Sequence, residues 1–340
     1  MSDDSLFHKL LILRLPRVGP VKYAELMAQF KSPAAVVEFL NPDVRHIDMV
    51  RREMDAAAKL NIQYLSDDSG QYPQNLKEIK AHPPVLSVRG RIDALQKPAV
   101  AIVGTRHATG AGLRFTSDLA YAFAEHGYAV VSGMAMGTDT AAHMGALASG
   151  RDATTIAVLA GGADVIWPLE NERLYAQILE CGCVVSEMPV GAAPSASLFA
   201  QRNRWIAGLS EKLILGEADA KSGSVITANF MLEMNRPVYA IPSHPSDARG
   251  AGPNRLIRDG LAILCTGADD FFGEKDGAEK RIGPPQKWEN TLLDKLGNIP
   301  MPESVLAELV KKEVGEIKRE LVMLELSGVV KKQDGGYVKI

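Results

Sequence analysis

Val100-Ala101-Ile102-Val103-Gly104-Thr105-Arg106 is a short apolar run that stops at a glycine and a cation. Similar β-branched runs recur at residues 129–131, 155–159, 184–185, 213–215 and 238–241, separated mostly by helix-length segments. Parallel strands need crossovers of about a dozen residues, usually helical, whereas antiparallel strands are joined by tight turns. The alternation therefore predicts an α/β domain over residues 98–272, a Rossmann-like doubly wound and mostly parallel sheet.

Working outward, residues 1–66 carry apolar positions at helical spacing without strand alternation and read as a small helical domain of the SAM or helix-hairpin-helix type. Its stretch Leu15-Pro16-Arg17-Val18-Gly19-Pro20-Val21-Lys22 places a glycine turn before a helix. The free amides of such a helix can hold a DNA phosphate, and the same turn serves equally well for packing two helices. Residues 67–97, with Pro73, Pro83 and Pro84 around Val85-Leu86-Ser87-Val88, read as an extended lead-in containing one short strand. Residues 273–287 are dense in Gly, Glu, Lys and Pro and read as a flexible linker. Residues 288–340 show three helical segments, then Val329-Val330-Lys331-Lys332 and Tyr337-Val338-Lys339-Ile340 around Gln333-Asp334-Gly335-Gly336, the outline of a winged helix. Nine Lys and Arg face nine Asp and Glu over residues 286–340, and Lys318 and Arg319 stand beside Glu316, Glu320 and Glu325. That balance disfavours reading of duplex DNA and favours a protein contact at least as well.

The 340 residues, 46% hydrophobic and 23% charged, are those of a soluble protein of two or three domains. A formal net charge of -3 excludes coating of nucleic acid by bulk positive charge, so any such site is local. The three cysteines fit no disulfide framework, and Cys181-Gly182-Cys183 has no second pair to complete a zinc site, so no metal is expected. Met1-Ser2-Asp3-Asp4 is acidic where a signal peptide is basic, and no apolar run approaches membrane length. A cytoplasmic protein without membrane contact is the expectation.

The loops at the carboxyl ends of the strands carry the chemistry. Gly104, Thr105 and Arg106 close the first strand, and Thr109-Gly110 opens the next helix, where backbone amides offer a phosphate seat. A G-x-G-x-x-G fingerprint is missing, and Val130-Val131 runs into Ser132-Gly133 with no acidic residue to hold a ribose, so neither a dinucleotide nor another cofactor is expected. Arg106 suits forked bonds to phosphate or stacking on a base. In Ser132-Gly133-Met134-Ala135-Met136-Gly137-Thr138-Asp139 small residues permit close backbone approach. Asp139 and His143, four apart on a helix, read as a dipole partner and its hydrogen-bonded neighbour rather than as an acid/base pair. Trp167, before Pro168 and Asn171, is a candidate for stacking on a base or for burial in the core. Phe199-Ala200-Gln201-Arg202-Asn203-Arg204-Trp205 supplies charged forks and an amide, and Lys221-Ser222-Gly223-Ser224 with Thr227 supplies hydroxyls and helix-start amides. These loops show no nucleophile elbow, no Cys–His pairing and no paired carboxylates. They are equipped to hold an anion rather than to react with it, so no catalytic residue and no enzyme activity is expected.

In these motifs the chain resembles the DNA-processing protein A family (DprA, also called Smf). The resemblance is carried by Ala101-Ile102-Val103-Gly104-Thr105-Arg106, by Ser132-Gly133-Met134-Ala135 with Gly137, Asp139 and His143, by Trp167-Pro168 with Asn171, by Arg202-Asn203-Arg204, and by Ser222-Gly223-Ser224 with Thr227-Ala228. It extends from Tyr72-Pro73 and Leu76 to Gly252, Asn254, Leu256 and Ile257. It implies a protein that binds single-stranded DNA, protects it from nucleases and loads the recombinase RecA on it during natural transformation. It also implies a homodimer formed through the Rossmann-like domain. The family's DNA-contacting arginine falls on Arg106, and Arg173 is the nearby candidate for the basic residue past its Tyr-Pro stretch. Pocket and resemblance together nominate Gly104, Thr105, Arg106, Ser132, Gly133, Asn171, Arg173, Arg202, Asn203, Arg204, Ser222, Gly223, Ser224 and Thr227 as DNA-binding. The chain departs from the family at Trp167, where Tyr is usual, at Ala200, where Pro is usual, and at Ser243, where Gly usually follows the proline. These departures bear on local shape, since none removes a charge. The step from anion to single-stranded DNA rests on the resemblance.

Two other readings compete. Similar folds split ribose-base bonds with an acidic residue beside a glycine-rich loop, and Glu187 and Glu217 are the comparable carboxylates at strand ends. Alternatively the terminal modules are the working parts and the centre is scaffold.

Overall fold

Along β3 (Ala99–Val103) the side chains alternate between two cores: Ala99, Ala101 and Val103 enter one, Val100 and Ile102 the other. A strand can be apolar on both faces only if helices cover both, and that fixes a three-layer arrangement. In the computed structural model, residues 3–150, 154–272, 292, 295–296, 300–326, 330–333 and 335–339 are described. They belong to two compact units, Met1–Gly273 and Glu274–Ile340.

The first unit begins with four helices, α1 (Asp3–Leu13), α2 (Pro20–Phe30), α3 (Pro33–Leu40) and α4 (Val44–Lys59). The chain then enters the sheet through β1 (Ile62–Ser66), turns through the short α5 (Gln74–Lys77) and continues in β2 (Val85–Gly90). After β3 follow α6 (Gly110–Glu125), β4 (Ala129–Ser132), α7 (Thr138–Ala148), β5 (Thr155–Val158), α8 (Glu172–Cys181), β6 (Cys183–Ser186) and α9 (Ala196–Leu209). The unit ends with β7 (Lys212–Leu215), α10 (Gly223–Glu233), β8 (Val238–Ala240), α11 (Ala251–Arg258), β9 (Ile263–Leu264) and α12 (Asp269–Phe272).

The nine strands lie in the order β1-β2-β6-β5-β4-β3-β7-β8-β9. From β6 to β9 all neighbours are parallel, whereas β1 with β2 and β2 with β6 are antiparallel. Residues 62–66, which helical spacing assigns to the first module, are thus an edge strand. Residues 85–90, expected as a short strand in a lead-in, are hydrogen-bonded between β1 and β6 within the main sheet. Two-residue β9 also lay beyond the pattern. These segments follow non-local pairing rather than their own periodicity. The helical module is fastened to the same edge: Leu10, Leu11 and Val50 pack with Val85, and Tyr64 of β1 donates to Glu53 of α4 at 2.8 Å.

Strand order reverses at β3, with β4, β5 and β6 on one side and β7, β8 and β9 on the other. Loops after β3 and β7 therefore splay apart at the carboxyl edge, the place where open α/β sheets hold ligands.

The second unit contains α13 (Glu303–Val310), α14 (Val314–Leu326) and an antiparallel hairpin, β10 (Val330–Gln333) with β11 (Gly336–Lys339). Leu306, Ile317, Leu321, Val330 and Tyr337 form its core with Leu292 and Leu296. The expected linker at residues 273–287 lies outside the described residues, as do residues 293 and 294 of the first of the three helical segments. Lys318 and Lys332 both pair with Glu303, at 3.3 and 3.6 Å, and Lys312 pairs with Glu320 at 3.0 Å.

Candidate nucleic-acid interface

The crevice at the strand reversal is a cavity of about 300 Å³. Gly104, Thr105 and Arg106 from the loop after β3 line it, with Arg202 and Asn203 from α9 and Ser222, Gly223, Ser224 and Thr227 at the start of α10. Nine of the residues nominated from sequence thus converge in one place. Asp139 and Phe199 are also in the wall.

Arg106 is exposed at the mouth. Its guanidinium faces the rings of Trp167 and Phe199, whose centroids lie 4.8 Å apart. Trp167 is 37% exposed, so it is a surface ring and not the core tryptophan that its apolar bulk also allowed. A cation beside two accessible aromatic faces offers charge to a phosphate and π-surface to a base.

Arg202 has the opposite fate. It is 6% exposed, and its Nη1 donates to the Val158 carbonyl at 2.8 Å while Nε has no partner. Burial pulls its pKa down to about 10, against the pull of the Asp139 carboxylate. Burial raises the pKa of Asp139, opposed by Arg202 and by the amides of Ala135 and Gly133, which donate to its Oδ2. The guanidinium crosses directly over Gly133, where a Cβ would overlap Nη1 outright. Glycine at 133 is therefore a packing requirement of Arg202. Gly137, at φ +78, takes a conformation that favours glycine and lets the loop after β4 meet the carbonyls of Thr105 and Arg106.

At the start of α10 two hydroxyl protons are used inside the protein. Ser224 donates to the Gly104 carbonyl at 2.7 Å and Thr227 to the Gly223 carbonyl at 3.2 Å, while the Ser222 hydroxyl accepts from the Val225 amide. The amides of Gly223 and Ser224 make no bond to a protein acceptor among the described residues. The helix-start amides and the hydroxyl proton of Ser222 are the donors left for an anion.

Other nominated residues are placed elsewhere. Ser132 is buried and donates to the Ile102 carbonyl at 2.7 Å. Asn171 is buried, donating to the Met134 carbonyl and to Thr140 at 2.9 Å each, so it braces the loop after β4. Arg173 is exposed on α8 and does not line the crevice. Arg204 leaves α9 on a different side, donates to the Lys80 carbonyl at 2.6 Å and lines a second groove with Glu78, Glu233 and Arg236.

Two local expectations are corrected. His143 does not bond Asp139: its Nδ1 lies 2.6 Å from Thr155 Oγ1, which itself donates to the Val130 carbonyl. Nδ1 therefore carries the proton and Nε2 is left bare and unpartnered, with burial holding the ring's pKa at about 3. The phosphate seat expected at Thr109-Gly110 already has a carboxylate of the chain beside it: Glu217 accepts from the Thr109 amide at 2.7 Å and from its hydroxyl at 2.5 Å, while the amides of Gly110 and Ala111 bond no protein acceptor among the described residues. The other strand-end carboxylate, Glu187, lines a separate cavity of about 280 Å³ with Arg14 and Pro20. Among the described residues no group of three His, Cys, Asp or Glu converges as metal ligands, and no helix is long and apolar enough to cross a membrane.

Residues 63–275 match the sequence model of the family described as DNA recombination-mediator protein A, and residues 278–336 match that of the DprA winged helix domain. A protein Smf of Synechocystis sp. is 34% identical over 318 residues, covering 81% of this chain and 79% of that protein. The X-ray structure of DNA processing protein A from Streptococcus pneumoniae superposes with a TM-score of 0.68 at 30% identity, covering 80% of this chain and 99% of that one. A structure described for the single-stranded DNA binding mode of DNA processing protein A from Helicobacter pylori superposes with a TM-score of 0.56 at 30% identity, over 62% of this chain and 94% of that one.

Proposed function

The chain belongs to the DNA recombination-mediator protein A (DprA/Smf) family, and from that premise we propose that its crevice binds single-stranded DNA and that the protein loads RecA on the bound strand during natural transformation. The observation that carries the DNA half is the exposed Arg106 guanidinium against Trp167 and Phe199, beside the unpaired amides of Gly223 and Ser224. A single strand offers what this surface lacks, a phosphate for the cation and amides and an unpaired base for the rings. Binding, not catalysis, is the role: the carboxylate that lines the crevice, Asp139, is committed to two amides, and Glu217 to Thr109. RecA delivery, and with it a cytoplasmic setting, is supported by family membership. Pairing of two copies through the Rossmann-like domain is supported by the last strand of the sheet, where Ile263 and Leu264 are 53% and 47% exposed on an open edge.

The test is a titration of wild type and Arg106→Ala with single-stranded and duplex oligonucleotides at two salt concentrations, with and without RecA. The expected outcome is preference for the single strand, weaker binding by the variant, and a salt slope shallower by about 0.7 for each phosphate the variant no longer neutralises. A folded variant with unchanged affinity removes Arg106 from the site. Failure of the bound strand to acquire RecA faster than naked strand removes the loading role.

A further inference from the structure

Glu217 lies just beyond β7, yet it holds both ends of the loop that carries Arg106. Its carbonyl accepts from the Thr105 amide at 2.6 Å, and its carboxylate accepts from the amide and hydroxyl of Thr109 at 2.7 and 2.5 Å. The Thr109 hydroxyl in turn accepts from the Gly112 amide at 2.9 Å, capping α6. A Cβ at Gly112 would stand 2.8 Å from the Glu217 carboxyl carbon, so the carboxylate rests directly on the first turn of that helix. The negative charge complements the helix end, as an external anion would.

Arg106, by contrast, has no side-chain hydrogen bond or ion pair among the described residues; only the two rings face it. Its direction is set by the backbone of residues 105–109, which is fixed by Glu217 at its ends and by weaker contacts between, such as the 3.5 Å bond from Arg249 to the His107 carbonyl. We propose that Glu217 is a positioning residue for DNA binding: by holding Thr109 at the N-terminus of α6, its carboxylate fixes the loop that aims Arg106 at the Trp167 and Phe199 rings. This inference rests on the single-stranded DNA reading above.

The experiment is a double-mutant cycle on the full chain, measuring fluorescence anisotropy of a labelled oligothymidylate with wild type, Arg106→Ala, Glu217→Ala and the double variant, alongside their melting temperatures. Glu217→Ala is expected to weaken binding about ten-fold and to lower the salt slope towards that of Arg106→Ala, while adding less than about two-fold to the loss in the Arg106→Ala background. A purely structural role gives losses that multiply, and that outcome overturns the inference, as does tighter binding by Glu217→Ala, which would mean that the vacated helix end takes phosphate itself. Should Glu217→Ala fail to fold, Glu217→Gln and Thr109→Val replace it. Glutamine keeps an acceptor for the Thr109 amide and is expected to bind within about three-fold of wild type, whereas Thr109→Val is expected to show the same non-additive weakening with Arg106→Ala; the reverse order overturns the proposal. Absence of oligonucleotide binding by wild type defeats the DNA reading itself, whereas wild-type binding with an additive cycle defeats the role of Glu217 alone.

Discussion

The guanidinium carbon of Arg106 lies 5.2 Å from the centre of the Trp167 ring, so an exposed cation and an exposed indole form one continuous surface at the mouth of the crevice. Base stacking on an aromatic side chain is worth about 1–3 kcal/mol, and Trp167→Ala is accordingly expected to weaken single-stranded DNA binding by about five- to 150-fold. Wild-type tryptophan emission should fall as oligonucleotide is added, with a smaller change in the variant. Equal affinities for the two proteins would exclude the ring from the interface.

The two arginines of the crevice should separate by stability. Arg202→Met removes a buried cation from above Asp139 and is expected to cost about 3 kcal/mol or more of folding free energy, whereas exposed Arg106→Ala should change it by about 0.5 kcal/mol or less. Urea unfolding of both variants checks this, and comparable midpoints would refute the division between a structural and a ligand-facing arginine.

Gly133→Ala sets a methyl group where Arg202 Nη1 now lies, so the guanidinium must leave the Val158 carbonyl. Destabilisation by about 2 kcal/mol or more is expected. Because both changes act at the same place, Gly133→Ala should cost much less in an Arg202→Met background, and additive losses in thermal unfolding would argue against this packing.

His143 gives the fold a defined acid dependence. Its folded pKa is about 3, against 6.5 for an unperturbed ring, because burial and the nearby Arg202 disfavour the charged form. The folded state stays neutral while the unfolded chain takes up a proton, so the contribution is present above pH 6.5 and is lost as pH falls from there towards 3. The slope is at most about 1.4 kcal/mol per pH unit. His143→Gln should flatten stability between about pH 7 and pH 5, and an unchanged difference between those two pH values would count against the assignment.

The parallel sheet was legible in the sequence because strands buried on both faces must be apolar throughout and must be separated by crossover helices. Its antiparallel edge was less so. Residues 62–66 and 85–90 owe their strand form to each other and to β6, and no local period records such a partnership.

The sequence by itself determined the fold class and the edge of the sheet at which anion-holding loops gather, since periodicity and glycine-rich strand ends are local properties of the chain. Only the tertiary structure decided which cations serve there. Arg202 and Arg204 are two positions apart on one helix, and the helical turn sends the first against Gly133 and the second to the Lys80 carbonyl, leaving Arg106 as the accessible charge of the crevice. In the same way the helix start at Thr109 is a free anion seat when read locally, and Thr109 itself is taken by Glu217, a carboxylate 108 residues along the chain. Burial and occupancy of this kind depend on contacts between remote segments, which composition and spacing do not encode.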